Sequence, residues 1–431
     1  MTFRFRRQHP MIATFGSAPR AGSVLSGLAL LLIAGCSSNS VAPTPPPPPP
    51  PLSSLTVAPK TDTLNAGQNA MITATAVDTL GAVLGNVALN WTSSNSAVAT
   101  VNSSGGVHAS SEGTTWIKAA GGGKSDSATV SVLVKRGWYL QPSQTSNDLN
   151  AVFFMSDRRT GWAVGALGRI IKTTDAGADW NMQVSNTGFN LNAVWFTSTS
   201  EGWAVGSSGT VLHTADGGTT WGTVTSNASE NLLDVWFATP DTGWVVGAAG
   251  VVLRTFDHGA SWQRKTPTTF DLQSVSFSGT RDGWAVGSGG VILGTHDRGL
   301  TWFIVQPSIT GLALRAVWRR SEPLAWAAGQ AGVVPRTIVG VDSTNWELDN
   351  AGASNDLNGV CYPADMIGYA VGVNSGGSAM VLRTDDGGVS WQTQTPGTSF
   401  RLKDVFFVDP LNGWAVGRNG TILHTSTGGL P

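Results

Sequence analysis

Leu191-Asn192-Ala193-Val194-Trp195-Phe196, Gly202-Trp203-Ala204-Val205-Gly206, Thr210-Val211-Leu212-His213-Thr214 and Asp216-Gly217-Gly218-Thr219-Thr220-Trp221 follow one another between residues 191 and 221. Three short apolar runs separated by Gly and Ser, the last running into a tight turn that ends on Trp, read as successive strands of one antiparallel sheet. The unit recurs. An L-x-x-V start stands at Leu149, Leu191, Leu232, Leu272, Leu314, Leu357 and Leu402, at intervals of 42, 41, 40, 42, 43 and 45 residues. A G-W-A-V-G-like strand follows each start, centred on Trp162, Trp203, Trp244, Trp284, Trp326, Tyr369 and Trp414. Four strands in some forty residues, seven times over, predict an all-β protein whose main domain is a seven-bladed β-propeller.

The T-x-D-x-G-x-S/T-W turn is complete around Asp216, Asp257, Asp297 and Asp386; in the first repeat Asp175 is followed by Asp179 in place of the hydroxyl residue, and the fifth is degenerate around Asp342 and Trp346. This turn resembles the Asp-box, also called the bacterial neuraminidase repeat. Its residue types have a local reason: Asp and the hydroxyls bond backbone N–H groups, Gly permits positive φ, and Trp packs beneath. Asp175, Asp216, Asp257, Asp297 and Asp386 are therefore structural and not catalytic pairs. The last repeat lacks its Trp and fourth strand, whereas Gly137-Trp138-Tyr139-Leu140-Gln141-Pro142 precedes the first. Residues 137–142 are expected to pair as the outer strand of the seventh blade, closing the ring within a propeller domain of residues 135–431.

The first 36 residues are read as a targeting segment. Arg4, Arg6, Arg7 and Arg20 precede an apolar stretch ending in Leu32-Ile33-Ala34-Gly35-Cys36, which resembles a bacterial lipoprotein signal and implies lipidation at Cys36. Residues 37–52 form a linker with eight Pro within 43–51, a polyproline II spacer of about 28 Å. Residues 53–134 alternate Thr, Val and Ala, as in Met71-Ile72-Thr73-Ala74-Thr75-Ala76-Val77, and read as a β-sandwich. The stretch Asn90 to Val101, with Gly105-Gly106-Val107, resembles the group 2 bacterial immunoglobulin-like family, whose members imply a spacer or adhesion module. Ser37 after the lipidated Cys, where Asp would favour retention, leans towards the outer membrane and a periplasmic or surface-exposed position.

Composition excludes several classes. Of 431 residues only 12% are charged, with 54 Gly, 18 Trp and 2 Cys, and the formal net charge is −1. The first 36 residues hold four of the 26 Lys and Arg and none of the 27 acids, so the chain after Cys36 carries −5. A basic nucleic-acid surface, a disulfide framework and a zinc spacing are all unsupported. No cofactor or metal is expected.

Two polar columns surround the start of each innermost strand. The first holds Asp148, Asn190, Asn231, Asp271, Asp356 and Arg401, and the second, one position past each Leu, holds Asn150, Asn192, Gln273, Arg315, Asn358 and Lys403. Such positions ring the mouth of the central channel, where a partner binds. Arg315, Arg319 and Arg320 break the repeat of the fifth blade and are candidates for the same site. A third column, Lys172, His213, Arg254, Gly294, Arg336, Arg383 and His424, reads as strand capping beside the acidic turns. Cys361 stands where most repeats have Phe or Trp and reads as a buried thiol.

Sialidases also carry Asp-boxes, and their mechanism, as that resemblance implies, needs an arginine triad and a Tyr paired with Glu. The propeller's only Glu residues, Glu201, Glu230, Glu322 and Glu347, and its three Tyr stand in no such context. Repeats of 40 to 45 residues leave no room for the elaborated loops of propeller xyloglucanases. The unadorned repeat over residues 138–431 is similar to the photosystem II stability/assembly factor family, which implies a non-enzymatic, protein-holding role. This chain departs from that family in its lipobox, its sandwich domain and an acidic propeller, with 17 Lys and Arg against 23 Asp and Glu over residues 138–431. The sequence reading is an envelope lipoprotein that binds a membrane or envelope protein, with a glycan-binding adhesin as the alternative.

Overall fold

The computed structural model describes residues 51–431 except 86, 306–309, 321–323, 338–344 and 353–354. The targeting segment, Cys36 and all but the last two linker residues lie outside the described residues. Residues 52–133 form three sheets around one core. The largest runs Thr61–Asn65, Lys124–Leu133, Gly113–Gly121, Asn90–Ser93, with the first pair parallel. Alternation is strict where it matters: along Gly113–Gly121, Thr115, Ile117 and Ala119 turn inward while Thr114, Trp116 and Lys118 face solvent. Val57, Ile72, Ile117 and Val130 meet in the interior, which makes this segment a β-sandwich.

Each repeat then forms a four-stranded antiparallel sheet, and seven such sheets stand among the described residues. In blade 1 the order outward from the axis is Leu149–Phe154, Gly161–Gly165, Ile170–Thr173 and Asn181–Gln183. Blades 2 to 6 repeat it over residues 191–224, 232–265, 272–304, 314–350 and 356–394. Blade 7 takes three strands from Leu402–Phe407, Gly413–Gly417 and Ile422–Thr425, and its fourth is Tyr139–Gln141, with Tyr139 opposite His424 and Gln141 opposite Ile422. Trp138 occupies the place of the missing turn Trp: it is buried, lies edge-on to Phe407 at 5.6 Å, and donates its indole N–H to Gln394 at 2.8 Å.

The blades are held together by an aromatic relay. The last residue of the L-x-x-V-x-F strand stacks on the Trp of the preceding blade's G-W-A-V-G strand: Phe154 on Trp414 and Phe196 on Trp162 at 3.5 Å, Phe237 on Trp203 at 3.7 Å, Phe277 on Trp244 at 3.6 Å. Tyr362 on Trp326 and Phe407 on Tyr369 continue it. The same ring meets the turn Trp of its own blade edge-on, as Phe154 meets Trp180 at 5.8 Å. Buried indole area of about 150–250 Å² at roughly 25 cal/mol per Å² gives about 4–6 kcal/mol gross per Trp, offsetting the entropy of a Gly-rich backbone. The indole N–H also reaches across, from Trp162 to the Gly217 carbonyl and from Trp326 to that of Gly387. Both glycines of G-W-A-V-G are sterically fixed, because a Cβ on Gly161 would enter the Phe154 ring at 2.5 Å and one on Gly165 would meet the Asp148 carbonyl at 2.0 Å.

Blade 5 breaks the relay. Arg319 takes the position of the aromatic residue and is only 2% exposed, and the turn Trp346 packs edge-on directly against Trp284 at 5.1 Å. Gly294 of blade 4 lets the Phe303 ring lie beside Trp284, since a Cβ there would stand 2.2 Å from Phe303.

Candidate functional site

A β-bulge after the leading Leu of every innermost strand decides what faces the channel. The register shifts between Leu149 and Ala151, and at the matching place in the other blades, so the residue one past each Leu leaves the ladder and turns to the axis. Asn150, Asn192, Leu233, Gln273, Arg315, Asn358 and Lys403, one per blade, thereby line one cavity of about 320 Å³, with Arg401 at its edge. That is roughly the volume of ten waters.

The ring is tied in place by its neighbours. The Nδ2 groups of Asn150, Asn192 and Asn358 each donate to the leading Leu carbonyl of the next blade at 2.7 Å. Lys403 donates to Asp148 at 2.9 Å and to the Asn150 oxygen at 2.8 Å; Arg315 donates to Asn358 at 2.7 Å and Asp356 at 2.9 Å. Burial opposes ionisation of Asp148 and Asp356, but bonds from Lys403 and the Asn419 N–H, and from the Ala331 N–H and Arg315, hold both below the usual carboxylate range. These donors and cations are fixed before any partner arrives, so little side-chain ordering remains to be done on binding.

Beneath the ring lies a smaller cavity of about 80 Å³, room for two or three waters. Asp234 and Asp404 face it. Asp234 accepts from Ser274 and the Val275 N–H at 2.8 Å, and Asp404 accepts from the Val152 N–H at 3.0 Å. Burial outweighs these bonds and pushes the two carboxyls up to about 6 and about 7. Below them Phe153, Trp195, Trp236, Trp318 and Phe406 touch in sequence around the axis, with centroids 4.0–6.0 Å apart. The channel therefore admits groups at its mouth and narrows onto an aromatic floor.

The structure separates the arginines of blade 5. Arg315 is at the mouth, Arg319 is buried between blades, and Arg320 lies in the loop at the opposite end of the strand, where it pairs with Asp365 at 2.6 Å. The cause is strand parity after the bulge, which sends these positions to the axis, the blade interface and the far loop. The third-strand column packs on its own blade's Trp: Lys172 lies 5.2 Å over Trp162, His213 5.0 Å from Trp203, and His424 is stacked at 4.5 Å on Trp414. Leu233, Asp234 and Asp404 are the mouth residues that the polar-column reading missed. The last two stand where other repeats have Ala, Ser or Gly, and that departure was the available signal.

The five turn aspartates do local work. Asp216 accepts the Thr220 N–H at 2.9 Å and its hydroxyl at 2.7 Å, while Thr214 accepts the Gly218 N–H at 2.8 Å. Asp257, Asp297 and Asp386 repeat the pattern with Ser261, Thr301 and Ser390, and Asp175 with the Asp179 N–H. The bonds from Thr220 hold Asp216 down at about 2. At Asp386 burial opposes ionisation, but Ser390 and Thr384 prevail, again at about 2. Among the described residues no three His, Cys, Asp or Glu side chains converge as a metal site. Tyr362 and Tyr369 are held in the interblade stack, and burial raises both hydroxyls. Cys361 is fully buried and burial raises its thiol.

Comparison with known proteins agrees with the propeller fold. The family described as Photosynthesis system II assembly factor YCF48 matches residues 130–229 and 221–310. No curated protein matches the chain. Among solved structures, YCF48 bound to D1 peptide aligns with a TM-score of 0.57 at 23% identity, covering 68% of this chain and 95% of that one. YCF48 from Cyanidioschyzon merolae aligns at 0.57 and 20% identity, covering 67% and 98%. The GH74 xyloglucanase from Xanthomonas campestris aligns at 0.53 and 12%, covering 68% of this chain and 54% of its own. At these identities the alignments establish the fold alone. Residues 130–310 thus match the model of the photosystem II assembly factor YCF48 family, and the domain that contains them has the β-propeller fold of those structures.

Proposed function

We propose that this chain is a non-enzymatic, lipid-anchored envelope protein whose propeller holds a segment of a membrane or envelope protein at the channel mouth. One observation carries the reading: of seven channel-facing residues, one per blade, all but Leu233 are polar and form a prearranged ring with Arg315 and Lys403 fixed in it. Half-exposed apolar side chains, Phe189, Phe270, Leu312 and Phe400, stand two residues before the leading Leu in four of the seven blades, with Asn147, Glu230 and Asn355 in the others. A partly apolar rim beside a polar centre suits an extended peptide, whose backbone meets the amides while its side chains rest on the apolar stretch of the rim. A propeller of the same fold has been solved bound to a peptide, which supports the reading. Lipidation at Cys36 and an outer-membrane position belong to the same proposal.

The test is a capture experiment from envelope extracts with three baits: the native chain, the Asn192→Asp/Gln273→Glu/Lys403→Glu variant, and a Val389→Glu variant on the face opposite the mouth. A protein retained by the first and third and lost from the second supports the proposal. Equal retention by all three, or hydrolysis of sialosides or β-glucans at enzymatic rates, overturns it.

A further inference from the structure

The sandwich carries a surface that the propeller reading does not use. Trp116 lies mid-strand in Gly113–Gly121 on the solvent side of the four-stranded sheet and is 62% exposed. It has hydroxyl neighbours along the row: Thr129 is directly opposite, and Thr61 is opposite Thr129 on the next strand. One row on, Thr114 faces Ser131; in the other direction stands Lys118. Leu133, at the end of the sheet, is the other large apolar side chain on this side among the described residues, with the small Ala120 two positions past Lys118. The row spans about 10 Å across three strands at about 4.8 Å spacing.

We infer that this face binds an uncharged polysaccharide, with a sugar ring stacked on the Trp116 indole. An exposed indole is a flat apolar platform with a negative π-face, suited to the C–H side of a pyranose ring. The flanking hydroxyls both donate and accept, so they can match sugar hydroxyls in either sense. Charge complementarity narrows the partner: the face presents one ammonium, Lys118, amid hydroxyls, which fits a neutral polyol and offers a polyanion no basic patch. A protein partner calls for a contiguous apolar centre, and one Trp among Thr and Ser does not supply it. The site lies in a different domain from the channel mouth and stands or falls independently of it.

The experiment is co-sedimentation of the full chain with amorphous cellulose and with chitin, at low salt and in about 1 M salt, where surface charge interactions are screened. Retention on at least one polymer in both salt conditions is expected, with a loss of at least tenfold for Trp116→Ala and little change for Lys118→Ala. Because Trp116 is exposed, Trp116→Ala keeps the fold, and an unchanged melting temperature confirms this. Failure of the native chain to sediment with either polymer, full binding by Trp116→Ala, or loss of binding in high salt overturns the inference.

Discussion

Asp386 shows how a single side chain holds a turn: it accepts the Ser390 N–H and hydroxyl and the Thr384 hydroxyl, all within 2.9 Å. Asp386→Ala leaves those donors to water or to nothing and is expected to cost about 1–2 kcal/mol, measured by denaturant unfolding. Its carboxyl, at about 2, lies below the ordinary value of 3.8, so its stabilisation is present above about pH 4 and lost as pH falls towards 2. Asp404 has the opposite sign. With a folded value of about 7 it binds a proton in the folded state that the unfolded chain has released, so stability falls as pH rises from about 4 to about 7. Asp404→Asn removes that titration. The melting temperature of the variant relative to the native protein should rise between pH 4.5 and pH 7.5, where a pH-independent difference would contradict the assignment. The turn aspartates were legible in the sequence because they recur and their partners are two to four residues away. Asp404 and Asp234 showed only as departures from the Ala, Ser or Gly of other repeats, because what gives them a role is the company of other blades around the axis.

At the scale of the element, the strand Tyr139–Gln141 explains why the last repeat is short, and Trp138 supplies the indole that its turn lacks. Trp138→Ala opens the seam between the two ends of the ring and is expected to cost about 3–5 kcal/mol, a fall of many degrees in melting temperature. Deleting residues 420–431 removes the partner strand Ile422–Thr425 and should be worse still; an unchanged melting temperature in either case refutes a closed ring. Period and strand count were readable because each blade must present the same Leu, Trp and Gly to the same neighbours. The parity of the innermost strand was harder to read. The column one past each Leu puts Arg315 at the mouth, but the bulge after each Leu leaves no mark on the alternation, so the sequence alone gives no reason to separate Arg319, at the blade interface, and Arg320, in the far loop, from it.

For the whole molecule, low charge and abundant Gly and Trp follow from the repeat, since both residue types serve the interblade relay. Much of the charge that remains is itself repeated, in the turn aspartates and the third-strand column, whereas Arg315 and Lys403 put cations in a channel ring of otherwise uncharged side chains. The anchoring proposal makes a separate prediction: Cys36→Ser should move the protein from the membrane fraction to the soluble fraction after cell lysis, and unchanged fractionation would contradict lipidation. The central claim is that a partner sits at the mouth. It is tested most directly by a photo-crosslinking side chain placed in turn at Asn192, in the polar ring, and at Val389, in an exposed turn on the opposite face. Crosslinks to one envelope protein from position 192 and none from position 389 are expected. Crosslinks to that protein from position 389 alone would contradict the account.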